Sequence, residues 1–358
     1  MKKLALLACM VVGLTTAIAQ KSFEYSEGVP ALVYALPATE LVFDLEIEKI
    51  TEKPGIFYQY SQRYLATTKV VTDESTTHRV RSVRMTTRPV VDPSRRFTVA
   101  PGVVSGLVLN RQGLLAGVNV VPAEKRVVRE RMIRKEEPQA ARQEGLLPLN
   151  QEYMMAGSTA KMAEGAAFQI YAIRESRLSL LSGELEHLPA DGSSLKMMLG
   201  GLDRQERELT ELFTGSVRKE IIRRQITIVP DSANYESVLF RLSAQRGLVA
   251  NDDLGGEPYY LVIDADAIPT PRPGNSRSSK KGDRLDEADI ALYTVLPAQA
   301  SIEVSDGVNS LLKQNTDISQ FGVLIPYEVS LFKSKDLQME VDPATGRLQR
   351  IHFGTGKK

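Results

Sequence analysis

The stretch LVFDLEIEKI, residues 41–50, alternates apolar and charged side chains: Leu41, Phe43, Leu45 and Ile47 share one parity, and Asp44, Glu46 and Glu48 the other. An extended chain sends successive side chains to opposite faces, so this is a strand with one dry face and one wet face. Glu52-Lys53-Pro54-Gly55 ends it with turn chemistry. Shorter β-like runs follow at 97–99, 106–110 and 118–121, and Asn110-Arg111-Gln112-Gly113 suits a hairpin connection between the last two.

The end of the chain repeats the signal. Tyr327, Val329 and Leu331 alternate with Glu328 and Ser330. After Ser334-Lys335-Asp336, Leu337, Met339 and Val341 alternate with Gln338, Glu340 and Asp342. Pro343-Ala344-Thr345-Gly346 then turns the chain into a third strand, Arg347 to Phe353, giving an antiparallel meander. A short internal echo links the two ends: Tyr34-Ala35-Leu36-Pro37-Ala38 and Tyr293-Thr294-Val295-Leu296-Pro297-Ala298 each precede an alternating run. Two related β units would produce it, although the match slips by one residue.

Between them the period changes from two to three and four. Ala163, Ala166, Ala167, Ile170, Ile173, Arg177 or Leu178, and Leu181 form one helical face, and Leu195, Met198, Leu199, Leu202, Leu209, Leu212 and Phe213 form another. Asp191-Gly192-Ser193 separates the two helices and Gly215 ends the second. Helices joined by so short a break pack antiparallel. The alanine and methionine stripe reads as packing rather than as a cofactor groove. After Gly215 the β character returns at 217–229, 238–242 and 259–263.

Two segments differ in composition. Residues 122–148 crowd Lys125, Arg126, Arg129, Glu130, Arg131, Arg134, Lys135, Glu136 and Glu137 together, a charged loop of mixed sign. Residues 268–288 carry prolines, serines, Arg272, Arg277, Lys280 and Lys281, with too little apolar content to offset the entropy of ordering. With 45 basic against 44 acidic residues there is no global field for nucleic acid or an anionic membrane. The local basic run Arg79, Arg81, Arg84 and Arg88 holds no aromatic residue for base stacking and reads as a solvated strand face.

The first twenty residues have the order of a secretory signal: Lys2 and Lys3, an apolar run from Leu4 to Leu14, then Ala17-Ile18-Ala19, with cleavage expected between Ala19 and Gln20. The run is shorter than the roughly 20 apolar residues of a membrane-spanning helix, and no second span follows. Lipidation of Cys9 within Leu6-Leu7-Ala8-Cys9 is the competing reading and is less favoured, because it would shorten the apolar core to Leu4–Ala8. Cleavage after Ala19 removes the one cysteine, so the exported chain is expected to hold no disulfide and no thiolate chemistry.

The common catalytic signatures do not occur in the sequence. His78, His187 and His352 are far apart, with no His-x-x-x-His pair, and neither a nucleophile elbow, a P-loop nor a Gly-x-Gly-x-x-Gly is present. No catalytic, cofactor-binding or metal-binding residue is assigned. Asp252, Asp253, Asp264 and Asp266 form the acidic pairs around which an acid hydrolase would be built, and that reading needs two of them to converge in a cleft with raised pKa values. Asn251-Asp252-Asp253-Leu254-Gly255-Gly256 departs from the EF-hand ligand spacing and reads as a turn rather than a calcium loop. Phe57, Tyr58, Tyr60 and Tyr64 would line a ligand pocket or, equally, fill a β core.

Five stretches carry a resemblance: VYALPATELVFDLEIEKITEKPGIFYQYSQRYL (33–65), FQIYAIRESRLSLLSGE (168–184), LDRQERELTELFTG (202–215), FRLSAQRGLVANDDLGGEP (240–258) and VDPATGRLQRI (341–351). They resemble an uncharacterised family of envelope proteins known as domain of unknown function 4831. The resemblance implies export and one shared architecture; it brings no activity, cofactor or site residue.

The reading is an α+β fold, predominantly antiparallel β, in two β-rich units that are sandwich- or barrel-like, with an inserted antiparallel helical hairpin. The expected division is a signal peptide at 1–19, a β-rich unit at 20–149, the hairpin at 150–215 and a second β-rich unit at 216–358. The expected role is that of a periplasmic or outer-membrane-associated structural or interaction protein with an envelope protein as partner, without nucleic acid and without a membrane span. The alternatives are the acid hydrolase and a periplasmic ligand-binding module.

Overall fold

Leu41, Phe43, Leu45 and Ile47 are all essentially inaccessible to solvent, as their parity requires. In the computed structural model they belong to β3 (Leu32–Lys53), which pairs antiparallel along nearly its whole length with β4 (Ser75–Val99). The structure describes residues 25–26, 29–30, 32–99, 102–120, 148–182, 192–266, 290–334 and 336–353. The expected signal segment with Cys9, Ala17, Ala19 and Gln20, all but the last residue of the charged loop 122–148, and the loop 268–288 lie outside the described residues.

Before β3 stand β1 (Tyr25–Ser26) and β2 (Val29–Pro30), a minimal ladder. β5 (Leu107–Leu109) and β6 (Leu115–Val118) form a short hairpin about the expected turn, but its second strand starts directly after that turn, at Leu115 rather than at 118. Asn110 makes its turn by accepting from the backbone N–H groups of Gln112 and Leu114, each at 2.9 Å. The helical segment holds α2 (Gln151–Met154), α3 (Thr159–Ser182) and α4 (Gly192–Thr214); a single helical turn, α1 (Ser61–Leu65), follows β3. Then come β7 (Ser216–Ile228), β8 (Asn234–Ser243), β9 (Gly247–Val249), β10 (Glu257–Ala265), β11 (Ile290–Ser305), β12 (Ser310–Glu328), β13 (Leu337–Val341) and β14 (Leu348–Phe353).

These strands form antiparallel sheets ordered β4-β3-β7, β12-β11-β10-β8-β9 and β14-β13-β6-β5. None closes on itself, which removes the barrel alternative. The first two sheets share one core, in which Phe43, Leu45 and Met85 meet Phe240, Leu261, Ile302 and Ile318. Sheets stacked in this way bury their alternating apolar faces against each other. A second core joins the four-stranded sheet to the other ends of the long strands through Tyr34, Leu36, Leu115, Leu292, Val295 and Met339. Strands from before and after the helices interleave: β7 adds to β3, and β13 to β6 through Met339↔Val118 and Glu340↔Gly117. A side chain at Gly117 would place its Cβ 2.3 Å from the Met339 carbonyl oxygen, so that pairing depends on glycine.

The closing meander is corrected in its first leg. Residues Val329–Lys333 form a 3-10 helix, and β13 takes β6 rather than 327–331 as its second neighbour. Local alternation suggested a strand there; the distant β6 edge claimed the ladder instead. The helical face is corrected at its end too. Leu178 and Leu181 are 66% and 63% exposed, while Leu180 is buried, because the 3.6-residue period carries the face from Ile170 through Arg177 to Leu180.

The internal echo has a structural counterpart. Along β3 and β4 the register passes from Ala35↔Arg96 to Pro37↔Val91, so Asp92, Pro93, Ser94 and Arg95 oppose Leu36 alone. Along β11 and β12 it passes from Leu296↔Val323 to Ala298↔Ile318, so Ser319, Gln320, Phe321 and Gly322 oppose Pro297 alone. Each long hairpin therefore carries the same large bulge at its proline and turns there from one core to the other. Pro297 can sit in its strand because the bulge releases it from the ladder, and Pro37 resumes the ladder directly after Leu36 at the equivalent bulge. The two bulges meet. Arg95 donates to the carbonyls of Ser319 at 2.9 Å and Gln320 at 2.7 Å, and Gln320 exchanges two hydrogen bonds with the backbone of Thr39. Phe97 is stacked between the two echoed tyrosines, at 5.5 Å from Tyr34 and 4.7 Å from Tyr293.

Candidate functional site

The base of the helical hairpin is fixed by aromatic packing beside Pro54-Gly55. Phe57 and Phe213 are fully buried with ring centroids 5.5 Å apart, and Ala163, Ala166, Ala167 and Ile170 close over them. Gly55 lies so near α4 that an added Cβ would fall 2.3 Å from the Leu212 carbonyl oxygen, which accepts from the Phe57 N–H at 2.7 Å. Ser61 donates to the Phe213 carbonyl at 2.8 Å. Gly215, at φ +81°, ends α4 and starts β7, the terminator role its position implied.

Contacts up the hairpin run in opposite order along the two helices, Ala163 to Ile170 with Leu209 and Phe213, then Arg174 and Arg177 with Glu206 and Asp203. The pair is therefore antiparallel, as expected. Arg174 bonds Glu206 at 2.7 Å, Arg177 bonds Asp203 at 2.7 Å, and Arg177 also pairs with Glu206. Burial pushes the Glu206 carboxyl up, but hydrogen bonds from Arg174 and Arg177 together outweigh it and hold it below its ordinary value of 4.5.

Beyond this charge clamp the helices leave the body uncovered. Leu178, Leu181, Met197 and Met198 are exposed, Met197 to 79%. A groove of about 650 Å³ runs between the helices here, with Ala172, Ser176 and Ser179 on one wall and Met198, Gly201 and Leu202 on the other. Gly165, Gln169, Ala172, Ser176 and Ser179 follow each other at three- and four-residue steps, so the groove wall continues down one face of α3. At its lower end that face is already filled: the Tyr153 ring of α2 lies over Gly165, where a Cβ would approach it to 2.0 Å. One turn up, Gln169 Nε2 is buried with no hydrogen-bond partner among the described residues.

The residues singled out in the sequence fall as follows. Phe57, Tyr60 and Tyr64 sit in the hairpin's core and do not line the groove. Asp252 and Asp253 lie in the loop before β10, and Asp264 and Asp266 at its far end, more than about 20 Å away at the usual rise per strand residue. Asp253 is held by both nitrogens of Arg246, at 2.7 and 3.1 Å, and by the Gly255 N–H, which lowers its pKa. The convergence that an acid hydrolase requires is not found at these four carboxylates, and the Asp253 pKa is lowered rather than raised. Asn251–Gly256 is a turn. Among the described residues no three His, Cys, Asp or Glu side chains come together as metal ligands. His187 lies outside the described residues. Arg79, Arg84 and Arg88 line an exposed strand face, paired with Glu48, Glu46 and Glu40 of β3.

Two features had no usable signal in the sequence. The Arg95 clasp joins residues 224 and 225 positions apart, and Ala172, Ser176 and Ser179 of the groove's α3 wall carry no periodic apolar mark, although Met198 and Leu202 on the facing wall do.

The fold and this groove define an antiparallel β protein with a two-helix arm and no recognisable catalytic centre at the groove. The chain belongs to the family described as Domain of unknown function (DUF4831), which it matches over residues 30–349. No curated protein and no solved structure matches it.

Proposed function

We propose that this is an exported cell-envelope protein whose work is to bind another envelope protein, with the open groove between α3 and α4 as the docking surface and an amphipathic helix of the partner as its occupant. The observation that carries the reading is the groove itself, about 650 Å³ between two helices and bordered by exposed methionine and leucine. Two antiparallel helices complete their packing with a third, and small residues along one wall let its backbone approach closely. The chain already uses this face in that way, since the helical residue Tyr153 covers Gly165 at its lower end. Methionine-rich rims adapt to the side chains they receive. Export is supported by Lys2, Lys3, the apolar run 4–14 and Ala17-Ile18-Ala19, with Gln20 as the first mature residue. No described helix is long and apolar enough to cross a membrane.

The test is mild extraction and purification of the mature chain beside a groove-filled variant, Ser176→Leu with Gly201→Leu. We expect a defined partner in constant ratio with the wild type, lost from the variant while circular dichroism and melting stay unchanged. A strictly monomeric wild-type protein with no partner after crosslinking overturns the proposal, as does a partner that the filled groove retains.

A further inference from the structure

The outer face of the β4-β3-β7 sheet holds a second feature, independent of the helical groove. Glu40, Asp44, Glu46 and Glu48 of the central strand are flanked by cations from both neighbours: Arg79, Arg84 and Arg88 on β4, and Lys219 and Arg223 on β7. Glu40, Glu46 and Glu48 are sunk beneath the guanidinium groups, while Asp44 is exposed and accepts from Gln225. Glu48 is 12% exposed and the Arg79 side chain above it 64%. What solvent meets is therefore mainly cationic, although the sheet as a whole is mixed in sign.

A bulge concentrates this charge at one point. The β3–β4 register passes from Glu46↔Ser82 to Ile47↔Val80, so Arg81 is an extra residue with no opposite number. Without the bulge, Arg81 would share the inward parity of Val83 and Met85. With it, Arg81 is exposed and lines the same hollow as Arg79. That hollow, about 460 Å³, is walled by Arg79, Arg81 and Lys219, with Val80 and Ile221 as apolar surface and Glu48 at its floor. Glu48 anchors Arg79 through both Nε, at 2.6 Å, and Nη2, at 2.5 Å, which fixes the guanidinium plane and leaves its remaining edge free. Lys219 approaches Glu48 only to 3.9 Å, and Arg81 has no ion-pair partner among the described residues. Three positive charges against one negative leave a surplus of two.

We propose that this hollow binds a phosphomonoester dianion. Carboxylates and sulfate esters carry a single negative charge; a phosphomonoester carries about −1.5 to −2 at neutral pH and offers three acceptor oxygens. β4 and β7 are separated by β3, so their cations stand about 10 Å apart at the usual strand spacing. A tetrahedral anion between them meets Arg79 and Arg81 on one side and Lys219 on the other. The same chemistry is presented by a small soluble phosphate ester and by the headgroup of a lipid such as phosphatidic acid.

The test is calorimetric titration of the mature protein with inorganic phosphate at low ionic strength, beside flotation with phosphatidylcholine vesicles containing or lacking phosphatidic acid. Phosphate is expected to bind at millimolar concentration, more weakly as salt rises. Arg81→Ala should weaken it by about tenfold or more, Arg81→Lys should keep part of it, and Arg88→Ala, on the same strand but outside the hollow, should leave it unchanged. Binding of phosphate alone assigns a soluble ester; vesicle binding that needs phosphatidic acid and Arg81, and that phosphate displaces, assigns the headgroup. No binding in either arm overturns the proposal, and so does an equal loss from Arg81→Ala and Arg88→Ala, which would mark diffuse charge rather than a site.

Discussion

Arg95 shows how much of this molecule rests on single side chains that join distant parts of the chain. It lies in the bulge of the first long hairpin and satisfies carbonyls in the bulge of the second, with Asp92 beside it at 3.6 Å. Burial lowers the Arg95 pKa and the Asp92 charge opposes that shift, so the guanidinium stays ionised. Its removal would leave Asp92, which is buried, with Ser94 as donor but no cation beside it, and would take the Arg95 donors from the bulge carbonyls. Arg95→Ala is therefore expected to cost about 3 kcal/mol in urea denaturation, and Arg95→Lys to recover less than half, because an ammonium cannot span the carbonyls as a planar fork does. Phe213→Ala, which empties the aromatic seat of the hairpin, is expected to cost about 3–5 kcal/mol in the same measurement. Neither residue announced its weight in the sequence. Phe213 was legible as a core position from its helical spacing, but the Arg95 bonds span more than 200 residues and only the fold brings them together.

The long strands and helices differ in how openly they were written. β3 was legible because its wet face is charged at Asp44, Glu46 and Glu48, which makes the period of two unmistakable. β11 also alternates, with Ala298, Ala300, Ile302 and Val304 buried, yet Pro297 interrupts it, and a proline ordinarily argues against a strand interior. The bulge that accommodates Pro297 cannot be read locally, so the length of β11 and β12 was hidden. The helical hairpin was legible as a pair because both faces repeat at three and four residues. Its open groove was not: Met198 and Leu202 belong to the periodic face, but Ala172, Ser176 and Ser179 opposite them leave no hydrophobic pattern to show that the seam stays open there. At this scale the Arg174–Glu206–Arg177 clamp sets a pH dependence. The Glu206 pKa is lowered in the folded chain, so its stabilisation is fully present above the unfolded value near 4.5 and is lost as pH falls through the lower folded value. The melting temperature of the wild type should therefore fall more steeply below pH 4.5 than that of Glu206→Gln; identical acid profiles would show that the clamp contributes nothing.

For the whole molecule, the sheets bind together segments that the sequence presents as separate. Residues 20–149 hold β3 without β7 and β6 without β13, so two of the ladders that flank the cores are incomplete in that half. Expressed alone, 20–149 is expected to lack a cooperative thermal transition, while the full mature chain should melt cooperatively; a sharp transition in the fragment would establish it as a unit in its own right. The α+β class and the antiparallel character were readable from period alone. The pairing across the helical insertion was not, because non-local strand partners are chosen by the packing of whole sheets and not by the alternation within each strand.

The docking role of the arm is tested most directly by a photoreactive amino acid placed in living cells at Ser176, inside the groove, and separately at Arg84, on the opposite type of surface. The expected result is a single major adduct from position 176, whose crosslinked peptide maps to an amphipathic helix of another envelope protein and disappears when Gly201→Leu fills the groove, with no such adduct from position 84. Failure to form an adduct at position 176, or an adduct there that survives the filled groove, would contradict the assignment of this surface.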